Sequence, residues 1–530
     1  MSNSEALPNP SATLIKSLCK AAAYTHNVTA VRLIETHISW VLLTGQYAYK
    51  IKKPVNFGFL DFSTLEKRRF FCHEELRLNQ RLAADWYLDV VPITGQPEQP
   101  NMDGADIAIE YALKMRQFPS AQTLLDRCNS GQLRVAEIDQ ISDIIANFHN
   151  SIEKAAAHAP YGDAQEIGCC FNDNFKHIQP LLKESAQWLQ LAAIQAWGDK
   201  EWMNKFALMQ QRKAQGYVRE CHGDIHLGNM TLINGKVILF DCIEFNPTLR
   251  WIDVISEIAF LVMDLLHVGY APYAYRFLNQ YFQHTGDYHG LALLRYYLVY
   301  RALVRAKVAL LRISQSTDTD TCAKAYSDYA AFSHLAEQTT QDKPRILIIT
   351  HGFSGSGKST FAAQLVEKIG AVQIRSDIER KRLFGYTPHA KTGNTLNNGI
   401  YTVAAGQQTY QHLAELAKAV LEAGFSAIID AAFLQAEQRE LFRQLACQCQ
   451  VSFFIIDFTA STETLCARIR KRQHDASEAT LDVLYQQLQS AQPLSVAEKK
   501  QLITVDTESD NALEILLEHL ELATVMQDKS

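Results

Sequence analysis

Apolar positions in the first third of the chain recur at two spacings, one after the other. Between Val31 and Lys53 they form short runs, Val31–Ile34, Trp40–Leu43 and Tyr47–Ile51. Such runs, separated by polar residues, predict antiparallel strands with one wet face. Past Phe62 the spacing becomes helical: Ser63-Thr-Leu-Glu66 is a capping-box pattern, and Leu76, Leu78 and Leu82 follow on the predicted helix. From about residue 135 to about 310 the pattern stays helical, except between Val218 and Asn246, where short apolar runs return. The pattern thus predicts a small sheet-rich lobe (about 25–115) ahead of a larger helical lobe (about 116–337).

Two polar stretches of low complexity, Ser314–Thr321 and Gln338–Pro344, bracket a predicted helix from Cys322 to Glu337. The β-branched run Arg345–Thr350 comes next and reads as the first strand of an α/β unit, with a helix at Thr360–Ile369 and further strands at Ala371–Asp377 and Ser426–Asp430. A boundary near 342 therefore divides the chain into segments 1–341 and 342–530, the second carrying a mainly parallel sheet.

Composition narrows the function classes. A chain of 530 residues exceeds what one apolar core supports, and 47% hydrophobic with 20% charged residues excludes a disordered or disulfide-stapled protein. The net charge of −6 is too weak to mark a nucleic-acid or membrane-surface binder by itself. The eleven cysteines show no C-x-x-C spacing and no matching His or Cys cluster, which suits reduced thiols in the cytoplasm better than a zinc site. Met1–Lys16 is polar and lacks a secretory h-region, and no uncharged apolar stretch approaches the roughly 18–20 residues of a membrane span.

The first chemical constellation is His222-Gly-Asp-Ile-His-Leu-Gly-Asn229, followed by Val237-Ile-Leu-Phe-Asp241. Phosphoryl transfer needs a carboxylate to take the proton of an attacking hydroxyl and hard oxygen ligands to hold Mg²⁺ against the phosphates. Asp224 is the candidate base, and Asn229 and Asp241 are the candidate metal ligands. A Gly/Asn/Asp turn would account for the residue types but not for the Asp delivered downstream. These motifs resemble the aminoglycoside phosphotransferase and choline kinase branch of the protein-kinase-like fold, whose catalytic loop reads His-Gly-Asp. The resemblance implies a third-strand lysine on the ATP phosphates and a glutamate partner on the next helix. Tyr47-Ala-Tyr-Lys50 has the setting of that lysine, with Lys52 and Lys53 as competitors for Lys50. Glu75, rather than Glu74, is the partner chosen, because it lies three and seven positions before Leu78 and Leu82. No G-x-G-x-x-G appears between Val31 and Tyr47. Arg301 and Arg305 share one helical face, suited to an anionic substrate, to solvation or to an internal salt bridge.

The second constellation, Gly352-Phe-Ser-Gly-Ser-Gly-Lys-Ser359, fits G-x-x-x-x-G-K-[ST] between a predicted strand and a predicted helix. Its glycines permit a turn whose amides face phosphate oxygens, so Gly352, Ser354, Gly355, Ser356, Gly357 and Thr360 become nucleotide contacts, with Lys358 on the outer phosphates and Ser359 on Mg²⁺. Asp430 ends an apolar strand and is placed to bind the metal or its water shell. The segment resembles the small P-loop kinases that include the polynucleotide kinase 5′-phosphorylating domain and zeta-toxin-type kinases. That resemblance implies Asp377 as the acid activating an acceptor hydroxyl, Arg380 as its charge-bearing partner, and Arg468 and Arg472 on a nucleotide-facing lid.

Taken whole, with Tyr49–Val55, Phe57–Ser63 and Tyr300–Ala302 as further matching runs, the chain resembles bacterial two-domain proteins in which an aminoglycoside phosphotransferase-like domain is fused to an AAA-type ATP-binding domain. The resemblance implies ATP and Mg²⁺ in each domain and transfer of the γ-phosphoryl to hydroxyls of small-molecule acceptors. Two alternatives stand beside it: a P-loop domain that regulates the kinase-like domain, and a P-loop domain that phosphorylates nucleic-acid 5′ ends. The near balance of charge in segment 343–530 gives the last little support. The sequence leaves the oligomeric state open.

Overall fold

The computed structural model describes residues 10–527 except 59, 119–122, 183, 316–317, 389, 393–398 and 472–476. The chain gathers into two compact units, one of residues up to Leu133 with Ser151–Asp163 and Gln211–Glu257, the other of Arg134–Asn150, Ala164–Gln210 and Ile258–Ser530. The polar connection near 342 runs from the end of the helix Thr319–Thr340 to a strand beginning at Ile346.

The first unit is built on an antiparallel sheet of β1 (Arg32–Glu35), β2 (Ser39–Leu43), β3 (Tyr47–Lys52), β4 (Tyr87–Gln96), β5 (Gln99–Met102) and β6 (Ala108–Arg116), in the order β1-β2-β3-β6-β4-β5. Alternation along β3 sends Tyr49 and Ile51 into a core with Leu18, Leu42, Ile93 and Ala112. By the same period of two, Lys50 and Lys52 share the opposite face. The helix Leu65–Ala83 follows on β3. Its cap is Thr64, whose side chain accepts from Lys67 N, and not the Ser63 of the sequence pattern. Ser63 is drawn instead into a turn by Asp61, to whose carboxylate both its amide and its hydroxyl donate.

The interruption at Val218–Asn246 is a set of short strands: β7 (Val218–Glu220), β8 (Met230–Ile233) and β9 (Lys236–Leu239), with β10 (Trp251–Asp253) pairing back on β7. Asn234 and Gly235 join β8 to β9 with φ of 50° and 76°. This is the Asn-Gly geometry of a tight hairpin turn, and it fixes the spacing between the loop His222–Asn229 and Asp241.

In the second unit β11 (Ile346–His351), β12 (Val372–Arg375), β13 (Ala427–Asp430), β14 (Ser452–Thr459) and β15 (Leu502–Asp506) form an all-parallel sheet in the order β12-β13-β11-β14-β15. Ile348, Leu365, Val366, Ile428, Phe454, Ile456 and Leu516 fill its core. The strand expected at Ala371–Asp377 stops at Arg375, and a helix begins at Ser376. Asp377 and Glu379 lie in that helix's first turn and Arg380–Arg382 in its last, a distribution that suits the helix dipole. The same unit holds the helices Ala271–Thr285, Leu291–Gln315 and Thr319–Thr340. Arg301 is buried over the Phe260 ring, and Arg305 lies 4.0 Å from Asp264, so this basic pair is spent on internal contacts. The N-terminal part thus has a protein-kinase-like α+β fold and the C-terminal part a P-loop NTPase α/β fold. Among the described residues no helix is long and apolar enough to cross a membrane.

Candidate active sites

In the first unit the two lysines on the shared face of β3 converge on one glutamate. Lys50 Nζ lies 2.7 Å from Glu75 Oε1 and 2.6 Å from Asp241 Oδ1, and Lys52 Nζ lies 2.7 Å from Glu75 Oε2 and also pairs with Glu244. Burial alone would raise the Glu75 carboxyl, but the two ammonium groups hold it at about 2. Glu244 is lifted above the usual carboxylate range by burial, against the pull of Lys52. Lys53 lies beyond the end of β3 and pairs with Glu35 instead. Glu74 faces Arg77 and Arg250.

The loop His222–Asn229 is held by groups the motif does not contain. Glu257 is fully buried, and its carboxylate accepts from the backbone amides of His222 (3.2 Å) and Gly223 (2.6 Å). His222 donates through Nε2 to Phe240 O (3.0 Å) and accepts at Nδ1 from Asp224 N (3.3 Å), which fixes a neutral tautomer; its burial lowers its pKa. Asn229 Nδ2 donates to Asp224 Oδ2 at 3.0 Å, leaving its Oδ1 as the oxygen suited to a cation.

Asp241 adopts φ of 68°, a left-handed conformation that costs energy for a non-glycine residue. It is held there on three sides. Its amide donates to Tyr87 Oη (3.1 Å), Cys242 N donates to Asn79 Oδ1 (3.0 Å), and Ile243 N donates to His222 O (3.0 Å). Glu257, Tyr87 and Asn79 lie far from the loop in sequence, so no local spacing could have pointed to them. The hard oxygens of Asn229 and Asp241 fit a magnesium ion.

In the second unit the loop Gly352–Ser359 joins β11 to the helix Lys358–Ile369. A Cβ on Gly352 (φ 134°) would stand 2.5 Å from Phe458 O, and one on Gly355 (φ 86°) 2.8 Å from Leu465 O, so steric room as well as backbone angle demands glycine. Lys358 Nζ donates to Gly352 O (2.9 Å) and Phe353 O (2.6 Å), folded back over the loop. Ser354 N donates to Gln487 Oε1 at 2.8 Å, a contact from the helix Leu481–Ser490 that the motif did not predict.

A cavity of about 1090 Å³ opens onto this loop. Ser354, Gly355, Gly357, Lys358, Ser359 and Thr360 line it from the loop side, and Asp377, Arg380, Asp430 and Arg468 from the other elements. Gly352 and Ser356 are not on its wall and shape the loop from behind. Asp430 is buried at the end of β13; burial raises its pKa, opposed by Arg375, by the Ser359 hydroxyl and by Lys358. A carboxylate and a hydroxyl that meet beside the loop lysine are the donor set a nucleotide-bound Mg²⁺ takes. Arg380 donates to Ile400 O (2.9 Å) and lies over the Tyr401 ring. Arg468 donates to Thr507 O (3.0 Å), Thr507 Oγ1 (2.9 Å) and Gly355 O (3.4 Å), anchoring its helix to the loop. Arg472 lies outside the described residues.

Folds and sites together define a two-domain chain that joins a kinase-like domain to a P-loop domain. Residues 347–494 match the family model described as AAA domain. An uncharacterized protein of Mycobacterium tuberculosis (strain ATCC 25618 / H37Rv) is 29% identical over 449 residues, 85% of this chain and 88% of its own length. Among solved structures, a choline/ethanolamine kinase family protein from Mesorhizobium loti is similar over 62% of this chain and 99% of its own (11% identity, TM-score 0.36). A gluconokinase from Sinorhizobium meliloti 1021 is similar over 35% of this chain and 97% of its own (18% identity, TM-score 0.27).

Proposed function

We propose that the chain is a bifunctional ATP-dependent phosphotransferase acting in the cytoplasm, each domain moving the γ-phosphoryl of ATP·Mg to a hydroxyl of a small-molecule acceptor. The observation that carries this is a repeated set of groups: each of two compact units holds a lysine, a carboxylate suited to magnesium and a further acid. In the first unit these are Lys50, Asp241 and Asp224; in the second, Lys358, Asp430 and Asp377.

Magnesium, when bound, neutralises phosphate charge as it develops. The residues supply the rest. Glu75 fixes Lys50 toward the phosphates, Glu257 and His222 hold the loop rigid, and Asp224 accepts the proton of the acceptor hydroxyl as that oxygen attacks the γ-phosphorus and the bond to the β–γ bridging oxygen breaks, releasing ADP. In the second unit the loop amides and Lys358 grip the outer phosphates, Ser359 and Asp430 would hold the metal, Asp377 takes the acceptor proton, and Arg380 and Arg468 balance charge on the transferred group.

The test is a screen of small-molecule alcohols with γ-labelled ATP on the full chain and on Asp224→Ala and Lys358→Ala. We expect each variant to lose a different set of labelled products. A Lys358→Ala chain that forms every product of the wild type would refute transfer at the P-loop, and a fully active Asp224→Ala chain would refute the role given to that acid.

A further inference from the structure

The carboxylate of Asp430 has a partner that is not on the wall of the nucleotide cavity. Gln373 on β12 is buried, and its Nε2 donates to Asp430 Oδ2 at 2.9 Å. A primary amide can present either its NH₂ or its carbonyl, and only the NH₂ suits a carboxylate. The choice is supported from the helix Ala271–Thr285, where Gln283 Nε2 donates to Gln373 Oε1 at 3.4 Å.

The same helix fixes the backbone of Gln373. Asn279 Oδ1 accepts from Gln373 N at 2.6 Å, and Asn279 Nδ2 donates to Ala371 O at 3.0 Å. β12 is an edge strand, and the Asn279 amide makes there the pair of bonds that a further strand would make. Asn279 and Gln283 stand four residues apart and so occupy one helical face. Around them Tyr275 packs on Gly370, and Arg276 pairs with Glu367 at 2.7 Å and Asp139 at 2.6 Å.

We propose that this helix, which belongs to the N-terminal segment of the sequence, positions the metal-side carboxylate of the P-loop site: Asn279 and Gln283 orient Gln373, and Gln373 holds Asp430. The proposal rests on the reading of Asp430 and Ser359 as the magnesium side of that site. Asp430 lines the cavity from the last residue of β13, and its Oδ2 takes the 2.9 Å hydrogen bond of Gln373 and, more distantly, the Arg375 guanidinium at 3.7 Å, so Gln373 makes the closer contact that sets the rotation of the carboxyl. Groups in this position typically account for about 10–100-fold in metal affinity. Magnesium affinity at the P-loop is thereby set in part by residues about 70–80 positions upstream of the loop in the chain.

The experiment titrates Mg²⁺ against binding of a fluorescent ATP analogue to the full chain, with the Lys358→Ala chain subtracted so that only P-loop binding is read. Gln373→Leu and Gln283→Leu are expected to raise the half-saturating Mg²⁺ concentration about 10-fold or more while leaving metal-free binding of the analogue unchanged. Arg276→Gln removes the ion pairs of the same helix without touching Gln373 and is expected to leave the Mg²⁺ titration as it was. An unchanged Mg²⁺ requirement in Gln373→Leu, with Lys358-dependent binding intact, overturns the positioning role alone. An equal rise in Arg276→Gln also overturns it, because general packing would then explain the effect. If Lys358→Ala binds the analogue as the wild type does, the nucleotide reading of the P-loop falls, and the positioning role with it.

Discussion

Replacing Lys52 with methionine keeps the stem of the side chain and removes its charge from a site where solvent cannot compensate. The Lys52 side chain is 1% exposed, Glu75 0% and Glu244 4%. Glu75 keeps Lys50 after the change, but Glu244 loses its ion-pair partner. Breaking a buried pair from one side costs about 3–5 kcal/mol, because the orphaned charge stays behind. Protonation of Glu244 relieves part of that cost, which places the expected loss near the lower figure, about 3 kcal/mol. For a body of this size that corresponds to a fall of about 6–12 °C in the transition of the first unit, read by calorimetry. The pH dependence gives a second check. The folded Glu244 carboxyl already titrates above its unfolded value of 4.5, and without Lys52 it titrates higher still. A carboxyl raised in this way binds more protons folded than unfolded, so its contribution to stability falls as pH rises from about 4.5 through the folded value. The deficit of Lys52→Met relative to wild type should therefore be larger at pH 8 than at pH 5. Lys53→Met, which removes a pair with the 60% exposed Glu35 side chain, should leave the transition within about 0.5 kcal/mol of wild type. A Lys52→Met chain that melts with the wild type at pH 8, or whose deficit grows toward acid, would show that Glu244 is not held as a charged partner of Lys52.

Glu257→Gln replaces an acceptor of two backbone amides with a group that must point one donor at a donor. The expected result is a fall of about 5- to 150-fold in first-site transfer rate, from a loss of about 1–3 kcal/mol in loop positioning, with nucleotide affinity retained; an unchanged rate in a labelled-ATP assay would remove the role given to Glu257. Gly355→Ala combines a left-handed φ of 86° with a Cβ 2.8 Å from Leu465 O, so the loop must shift. Titration calorimetry on the full chain should show loss of the Lys358-dependent nucleotide site, and retention of that site would mean the loop tolerates the added methyl group.

What the sequence made legible divides along a physical line. Motifs whose chemistry depends on residues near one another in the chain could be read directly: His222 to Asn229 lie on one loop, the Asn234–Gly235 hairpin brings Asp241 back beside it, and Gly352 to Ser359 form one turn between a strand and a helix. Strand parity was legible as well, since a period of two puts Lys50 and Lys52 together whatever surrounds them. It could not show that Lys52 spans Glu75 and Glu244, because Glu244 lies 192 residues further on. Glu257, Asn79, Tyr87 and Gln373 escaped for the same reason. Each acts through one or two hydrogen bonds to a partner brought close only by folding, and a buried polar residue at the period of its own helix or strand carries no local mark that it is bonded to a distant one. The Ser63 cap failed locally, through competition: Asp61 offered the serine a nearer acceptor, and the helix took Thr64. The groups that carry the proposed chemistry were therefore largely visible in the sequence, whereas those that aim them were not. The aiming groups are the ones whose substitution most directly tests whether the geometry, rather than the motif, sets the activity.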